Sequence, residues 1–164
     1  MGTRVVGVRA EHRDGLGIGR AAPRLSWRTE TDTPAWIQRS YEIDAGDDWC
    51  CGPVESPESV LVPWPGPPLR SRQHVDVRVR VTGTDGEASP WSEPLRIEAG
   101  LLVASDWSAR FVTPDEEAWP CPYLRAGFEL HGEVRSARLY MSALGLCSAE
   151  INGVTVGDHV LEPG

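Results

Sequence analysis

Residues 75–81 read Val-Asp-Val-Arg-Val-Arg-Val, four valines separated by charged side chains without exception. Side chains alternate across a strand, so the valines share one face and Asp76, Arg78 and Arg80 the other. A 3.6-residue helical period would scatter those valines around an axis, which rules out an amphipathic helix. A strand with one apolar and one wet face needs an apolar layer to pack on, and this predicts an antiparallel sandwich. The alternation recurs at Arg24–Thr29, with Leu25 and Trp27 inward, at Tyr41–Ala45, with Tyr41, Ile43 and Ala45 inward, and at Leu95–Ala99. Turn clusters separate the runs: Asp14-Gly15, Gly52-Pro53, the stretch from Pro63 to Pro68, and Thr84-Asp85-Gly86. Proline cannot donate to a ladder, so Pro63-Trp64-Pro65-Gly66-Pro67-Pro68 is expected as a loop or a sheet edge. No amphipathic helix of useful length is predicted before residue 100.

A second block starts near Gly100. Ser105 or Asp106 is expected to cap a short helical turn, and residues 113–122 read as loop. Tyr123–Leu130 and Val134–Leu144 are predicted strands. Cys147–Ile151 is a third, turning through Asn152-Gly153 into Val154-Thr155-Val156, a tight hairpin signal. About four strands in this block would leave edges unpaired. The sequence therefore divides into a complete sandwich over 1–100 and an incomplete second one over 101–164 that breaks off in mid-domain.

Composition narrows the chemistry. The chain has no lysine, so Schiff-base and P-loop lysine chemistry are excluded. A net charge of −8 disfavours nucleic acid and anionic membrane surfaces as partners. The apolar runs fall far short of the roughly 20 residues that cross a bilayer. No apolar signal-peptide core follows Met1, and a reduced, cytoplasmic setting is expected. Cys50 and Cys51 are adjacent and poorly placed to bridge each other, while Cys121 and Cys147 read as buried thiols in strand-like surroundings. No C-x₂-C occurs, and His12, His74, His131 and His159 lie apart, so no metal site is expected.

No catalytic residue is expected either. The adjacent acids Asp47/Asp48 and Glu116/Glu117 sit in turn-like sequence and read as solvated loops, not as a carboxylate pair facing across a bond. His74 and His159 lack a nucleophile at a telling spacing, and Ser142, Ser148 and Cys147 lack an elbow context. Gly15, Gly17 and Gly19 lack the βαβ setting of a dinucleotide loop, and no cofactor is expected. Among the seven tryptophans, Trp27 and Trp91 are predicted core residues. Trp64 and Trp119 fall in proline-flanked loops. Contact with a neighbouring domain is the favoured role for one of them, with stacking on a sugar as the alternative.

The ordered motifs resemble those of bacterial α-L-rhamnosidases. They run from Gly15-Leu16-Gly17-Ile18 and Pro23-Arg24-Leu25-Ser26-Trp27 through Ser40-Tyr41-Glu42-Ile43 and Gly52-Pro53-Val54-Glu55-Ser56. Arg78-Val79-Arg80-Val81, Ser89-Pro90-Trp91-Ser92-Glu93-Pro94 and Glu98-Ala99-Gly100-Leu101-Leu102 follow. Asp106-Trp107, Ser136-Ala137-Arg138-Leu139-Tyr140, Ala143-Leu144-Gly145-Leu146 and Glu150-Ile151-Asn152-Gly153 continue the set, which closes on Val156-Gly157-Asp158-His159-Val160-Leu161. The resemblance implies an all-β chain: a fibronectin-III or immunoglobulin-like β-sandwich, then the start of a jelly-roll-like β-sandwich. It implies that the catalytic (α/α)₆ barrel lies elsewhere in the parent, so that no catalytic residue carries over and this chain is inactive alone. The expected partner is the remainder of a rhamnosidase, with rhamnosylated glycans as a further partner. The alternatives are a stand-alone carbohydrate-binding or adhesion module, and a degenerate fragment without a stable fold.

Overall fold

The computed structural model describes residues 2–113, 122–157 and 162–163. The chain forms two compact units, Met1–Trp107 and Ser108–Gly164. In the first, β1 (Arg4–Ala10) pairs antiparallel with β2 (Leu25–Glu30). A second sheet takes the order β4-β3-β5-β6, from β3 (Gln38–Asp44), β4 (Cys50–Glu55), β5 (His74–Gly83) and β6 (Leu95–Glu98). All its pairings are antiparallel, and β1 lies against β5 and β6 of the other layer. Residues 59–62 extend the smaller sheet. Leu25 and Val62 exchange N–H···O bonds of 2.8 Å, and the Trp27 amide donates to Ser59 O at 2.9 Å.

The core follows the alternation. Val75, Val77, Val79 and Val81 are buried in one cluster with Leu25, Trp27, Ile43, Ile97 and Ala99. Burying such a side chain contributes about 1.5–3 kcal/mol each. Tyr41 is half-buried, its ring edge-on to Trp27 at 5.2 Å. A register shift between Gln38 and Ser40 lets Gln38 join this inner face, opposite Gly83. Gln38 is buried and fully used: Oε1 accepts from the Trp27 indole at 3.1 Å, and Nε2 donates to Ser56 O and Glu58 O at 3.0 and 2.9 Å.

Gly52-Pro53 is not a turn between strands. The pair sits inside β4, where Tyr41 faces Val54 and Ile43 faces Cys51. The extra β4 residue makes a bulge, and the proline is tolerated because β4 is a sheet edge. Ser105 and Asp106 do not cap a helical turn as expected. A short 3₁₀ turn spans Ala104–Asp106, with Val103 at its cap position and no side-chain cap bond.

The segment Ser89-Pro90-Trp91-Ser92 solves a pairing problem. The strand β6 covers β5 only from His74 to Val77, which leaves the later amides of a buried strand in need of acceptors. Ser92 N donates to Val79 O and Ser89 N to Val81 O, both at 2.8 Å. The Ser92 and Ser89 hydroxyls accept from the Val79 and Val81 amides at 3.0 and 3.1 Å. Each hydroxyl in turn donates to the next carbonyl, Glu93 O and Pro90 O, at 2.9 Å. The two serines continue the ladder where Pro90 cannot. Trp91 thereby turns to the polar face of the sheet instead of entering the core. It is half-buried there, 5.3 Å from the Arg78 guanidinium and 4.6 Å from that of Arg80.

The described part of the second unit carries only short pairs. Here β7 (Leu146–Cys147) pairs with β10 (Glu162–Pro163), and β8 (Glu150–Ile151) with β9 (Val154–Thr155). The hairpin turn lies at Asn152-Gly153 as expected, with φ of 52° and 79°. The single strand expected over Cys147–Ile151 is instead two pieces with different partners. Tyr123–Leu130 and Val134–Leu144 form no strand. Alternation creates a strand only where a ladder partner exists, and none pairs with these runs among the described residues. None of the described residues from 108 onward is buried. Cys147 is accordingly half-buried rather than enclosed, and Cys121 lies outside the described residues.

Removing either serine hydroxyl leaves a buried amide without an acceptor, a loss of about 1–3 kcal/mol. Ser89→Ala and Ser92→Ala should each lower the midpoint of urea unfolding, whereas Ser89→Thr should retain most of the stability.

Candidate functional site

The loop tryptophan Trp64 does not stand free. Its indole N–H donates to Pro67 O at 2.9 Å, folding the proline loop back on itself. Its ring meets Trp49 edge-on with centroids 5.0 Å apart, and both rings are half-buried against the core. Gly66 sits against the Trp49 indole, and a Cβ there would come within 2.4 Å of its ring. Trp49 is placed by the turn after β3, where the Ala45 amide donates to Trp49 O at 2.9 Å. The sequence did not single out Trp49, because its neighbours show no alternation. The other predicted site residue, Trp119, lies outside the described residues.

Several carboxylates of the first unit are committed to arginines across strands. On the polar face of the larger sheet, Glu42 holds Arg80 through two bonds of 2.8 and 2.7 Å, and Asp44 holds Arg78 at 2.8 Å. These are directly opposed pairs in the β3–β5 register. Glu30 pairs with Arg4 at 2.6 Å and Glu55 with Arg39 at 3.0 Å. Asp47 and Asp48 are exposed in the turn after Ala45, and Glu116 and Glu117 lie outside the described residues. Gly15, first of the three spaced glycines, packs against the Arg96 carbonyl, and its own carbonyl accepts from the Glu98 amide at 2.8 Å.

Glu11 is the most perturbed of these acids. It and His12 form the centre of a tight turn, with φ of 49° and 63°, closed by Ala10 and Arg13. Its carboxylate accepts from the Arg24 side chain at 3.0 and 2.6 Å and from the Arg24 amide at 2.8 Å. The Arg24 side-chain bonds hold its pKa down to about 2, against the opposing effect of burial. Beside this turn lies an open depression of about 320 Å³, lined by Gly7, Arg9, His12, Ser26, Arg28 and Val60 over Trp27. Arg9 there faces Asp14 at 3.4 Å, and the Ser26 hydroxyl accepts from the Leu61 amide at 2.9 Å. Among the described residues, no group of three or more His, Cys, Asp or Glu side chains is placed to hold a metal ion.

The fold and its pairings match a known lineage. Residues 5–103 match the family described as the Rha78A-like N-terminal immunoglobulin domain. The chain belongs to this family. Residues 132–164 also match the α-L-rhamnosidase N-terminal domain. An α-L-rhamnosidase of Formosa agariphila is 34% identical over 170 residues, covering 91% of this chain and 18% of that protein. One from Streptomyces avermitilis is 39% identical over 118 residues, covering 66% of this chain and 12% of the relative. The crystal structure of native α-L-rhamnosidase from Aspergillus terreus aligns with a TM-score of 0.73 and 34% identity over 99% of this chain and 20% of its own. That of the Streptomyces avermitilis enzyme complexed with L-rhamnose aligns with a TM-score of 0.61 and 41% identity, over 65% of this chain and 11% of its own. The chain thus spans less than a fifth of the length of these curated relatives.

Two outcomes test this geometry. Gly66→Ala should drive the loop off Trp49, seen as a red shift in tryptophan emission and a lower melting temperature. Glu11, whose pKa falls on folding from 4.5 to about 2, contributes stability that is complete above pH 4.5 and disappears as pH falls through 2. Glu11→Gln should therefore cost about 1–2 kcal/mol in urea unfolding at pH 7, with the gap to the parent chain closing below pH 4.

Proposed function

We propose that this chain is the non-catalytic N-terminal accessory region of an α-L-rhamnosidase-like glycoside hydrolase, supporting a catalytic (α/α)₆ barrel in the same protein. The observation that carries this reading is the match of residues 5–103 to an N-terminal immunoglobulin domain, within relatives named α-L-rhamnosidases that are more than five times as long. The second unit supports it. Phe111, Tyr123, Phe128 and Leu144 are 73%, 83%, 72% and 92% exposed, and apolar surface on this scale is normally covered by further protein. The work is mechanical: a rigid sandwich braces a neighbour, while hydrolysis of terminal α-L-rhamnosyl residues belongs to the neighbour. Trp64 and Trp119 enter as contacts to that neighbour ahead of any sugar, in keeping with the engaged indole N–H of Trp64. The unbridged Cys50, Cys51 and Cys147 are in keeping with a cytoplasmic setting.

The competing reading, a stand-alone carbohydrate-binding module, draws on the loop position of Trp64, whose ring is only half covered. Two measurements separate them. The purified chain should release no rhamnose from an aryl α-L-rhamnoside, and enzyme-like turnover would sink the accessory reading. Titration with L-rhamnose should leave tryptophan emission flat. A saturable quench abolished by Trp64→Ala or Trp119→Ala would instead establish the binding module.

A further inference from the structure

The last strand of the immunoglobulin-like unit, β6, ends at Glu98, yet the chain stays bound to that unit as far as Trp107. Segments that leave a domain are ordinarily exposed and loosely held. This one is held at residues 99, 100, 102 and 106. Ala99 N donates to Gln73 O at 2.8 Å, Gly100 N to Ile18 O at 2.9 Å, and Leu102 N to the Ser71 hydroxyl at 2.8 Å. The same hydroxyl donates to the Asp106 carboxylate. Arg72 adds its backbone and its side chain. Its amide donates to Ala99 O and Gly100 O at 3.1 and 3.2 Å, and its guanidinium to Asp106 O at 3.3 Å.

Two features set this apart from incidental loop bonding. Arg72 has a φ of 65°, a left-handed conformation that is unfavourable for a non-glycine residue. That conformation is what lets its amide serve the departing strand's carbonyls. Ser71, moreover, is a relay between two points of the exit segment, accepting from Leu102 and donating to Asp106, which closes the 3₁₀ turn at Ala104–Asp106. Asp106 could have capped that turn through its side chain, and its carboxylate is turned to Ser71 instead.

We propose that Ser71, Arg72 and Asp106 form a clasp that fixes the course of residues 99–107, and with it the direction in which the chain leaves the immunoglobulin-like unit. These are positioning residues. The clasp keeps residues 99–107 part of the immunoglobulin-like unit, as a bracing role would require. That purpose rests on the accessory reading above; the clasp itself does not.

Amide hydrogen exchange on the intact 164-residue chain tests it. In Ser71→Ala and in Asp106→Ala, the amides of Leu102, Asp106 and Trp107 should exchange about tenfold faster, the effect of losing one hydrogen bond of ordinary strength. Those of Val77, Val79 and Val81 should be unchanged. Ser71→Thr, which keeps the hydroxyl, should restore the slow exchange. Unaltered exchange over residues 102–107 in both alanine variants would overturn the clasp. So would a loss of protection spread equally into β5, since the three residues would then be part of the general core. Neither readout involves rhamnoside hydrolysis, so the clasp can fail while the accessory reading stands, and the reverse.

Discussion

Everything in the first unit depends on β5 having its amides satisfied on both sides while four valines below it are kept dry. On one side β3 supplies the partner from Arg78 to Gly83. On the other, β6 covers only four residues, and the serines at 89 and 92 pair with Val81 and Val79 beyond them. An unpaired backbone group in a dry layer costs as much as burying one or two methylenes gains. The valine stripe is therefore only as good as the ladder around it. Gln38 plays the same role from within, linking β2 and β3 to residues 56–58 through a buried amide with every partner present.

The polar face is organised by the same registers. Because Glu42 stands opposite Arg80 and Asp44 opposite Arg78, the ion pairs arise from strand pairing with no further device. Trp91 lies over both guanidinium groups and shields them partly from water, which strengthens cation–π and ionic contacts alike. The result is a face of mutually engaged groups. The second unit has the opposite character. Its short β pairs satisfy some backbone, but its large apolar side chains find nothing to bury against among the described residues.

Much of the first unit was legible in the residues. The runs around Trp27, Ile43, Val77 and Ile97 alternate, and each became a strand with the expected face inward. The Asn152-Gly153 hairpin was equally plain, because few dipeptides take two successive left-handed residues. Trp91 was misread. A tryptophan beside a strand suggests core, and only the pairing of Ser89 and Ser92 with β5 reveals that Trp91 between them faces outward. The prolines at 53 and at 63–68 looked alike in sequence, yet one bulges within an edge strand and the others form a loop closed on Trp49. The loop setting of Trp64 was legible in the sequence but its partner was not, since Trp49 lies in a different loop.

The sequence by itself determined the class of fold and the inward faces of the main strands, because side-chain alternation and turn chemistry are local properties, while the ordered motifs pointed to the family by resemblance. It also determined which catalytic groups the chain could never use, lysine above all. Tertiary structure alone decided which strands find partners, which way Trp91 points, and how far past β6 the first unit extends. Those outcomes turn on where amide groups from distant parts of the chain find acceptors. Ser71 meeting Leu102 and Asp106 across more than thirty residues is a contact no local pattern encodes.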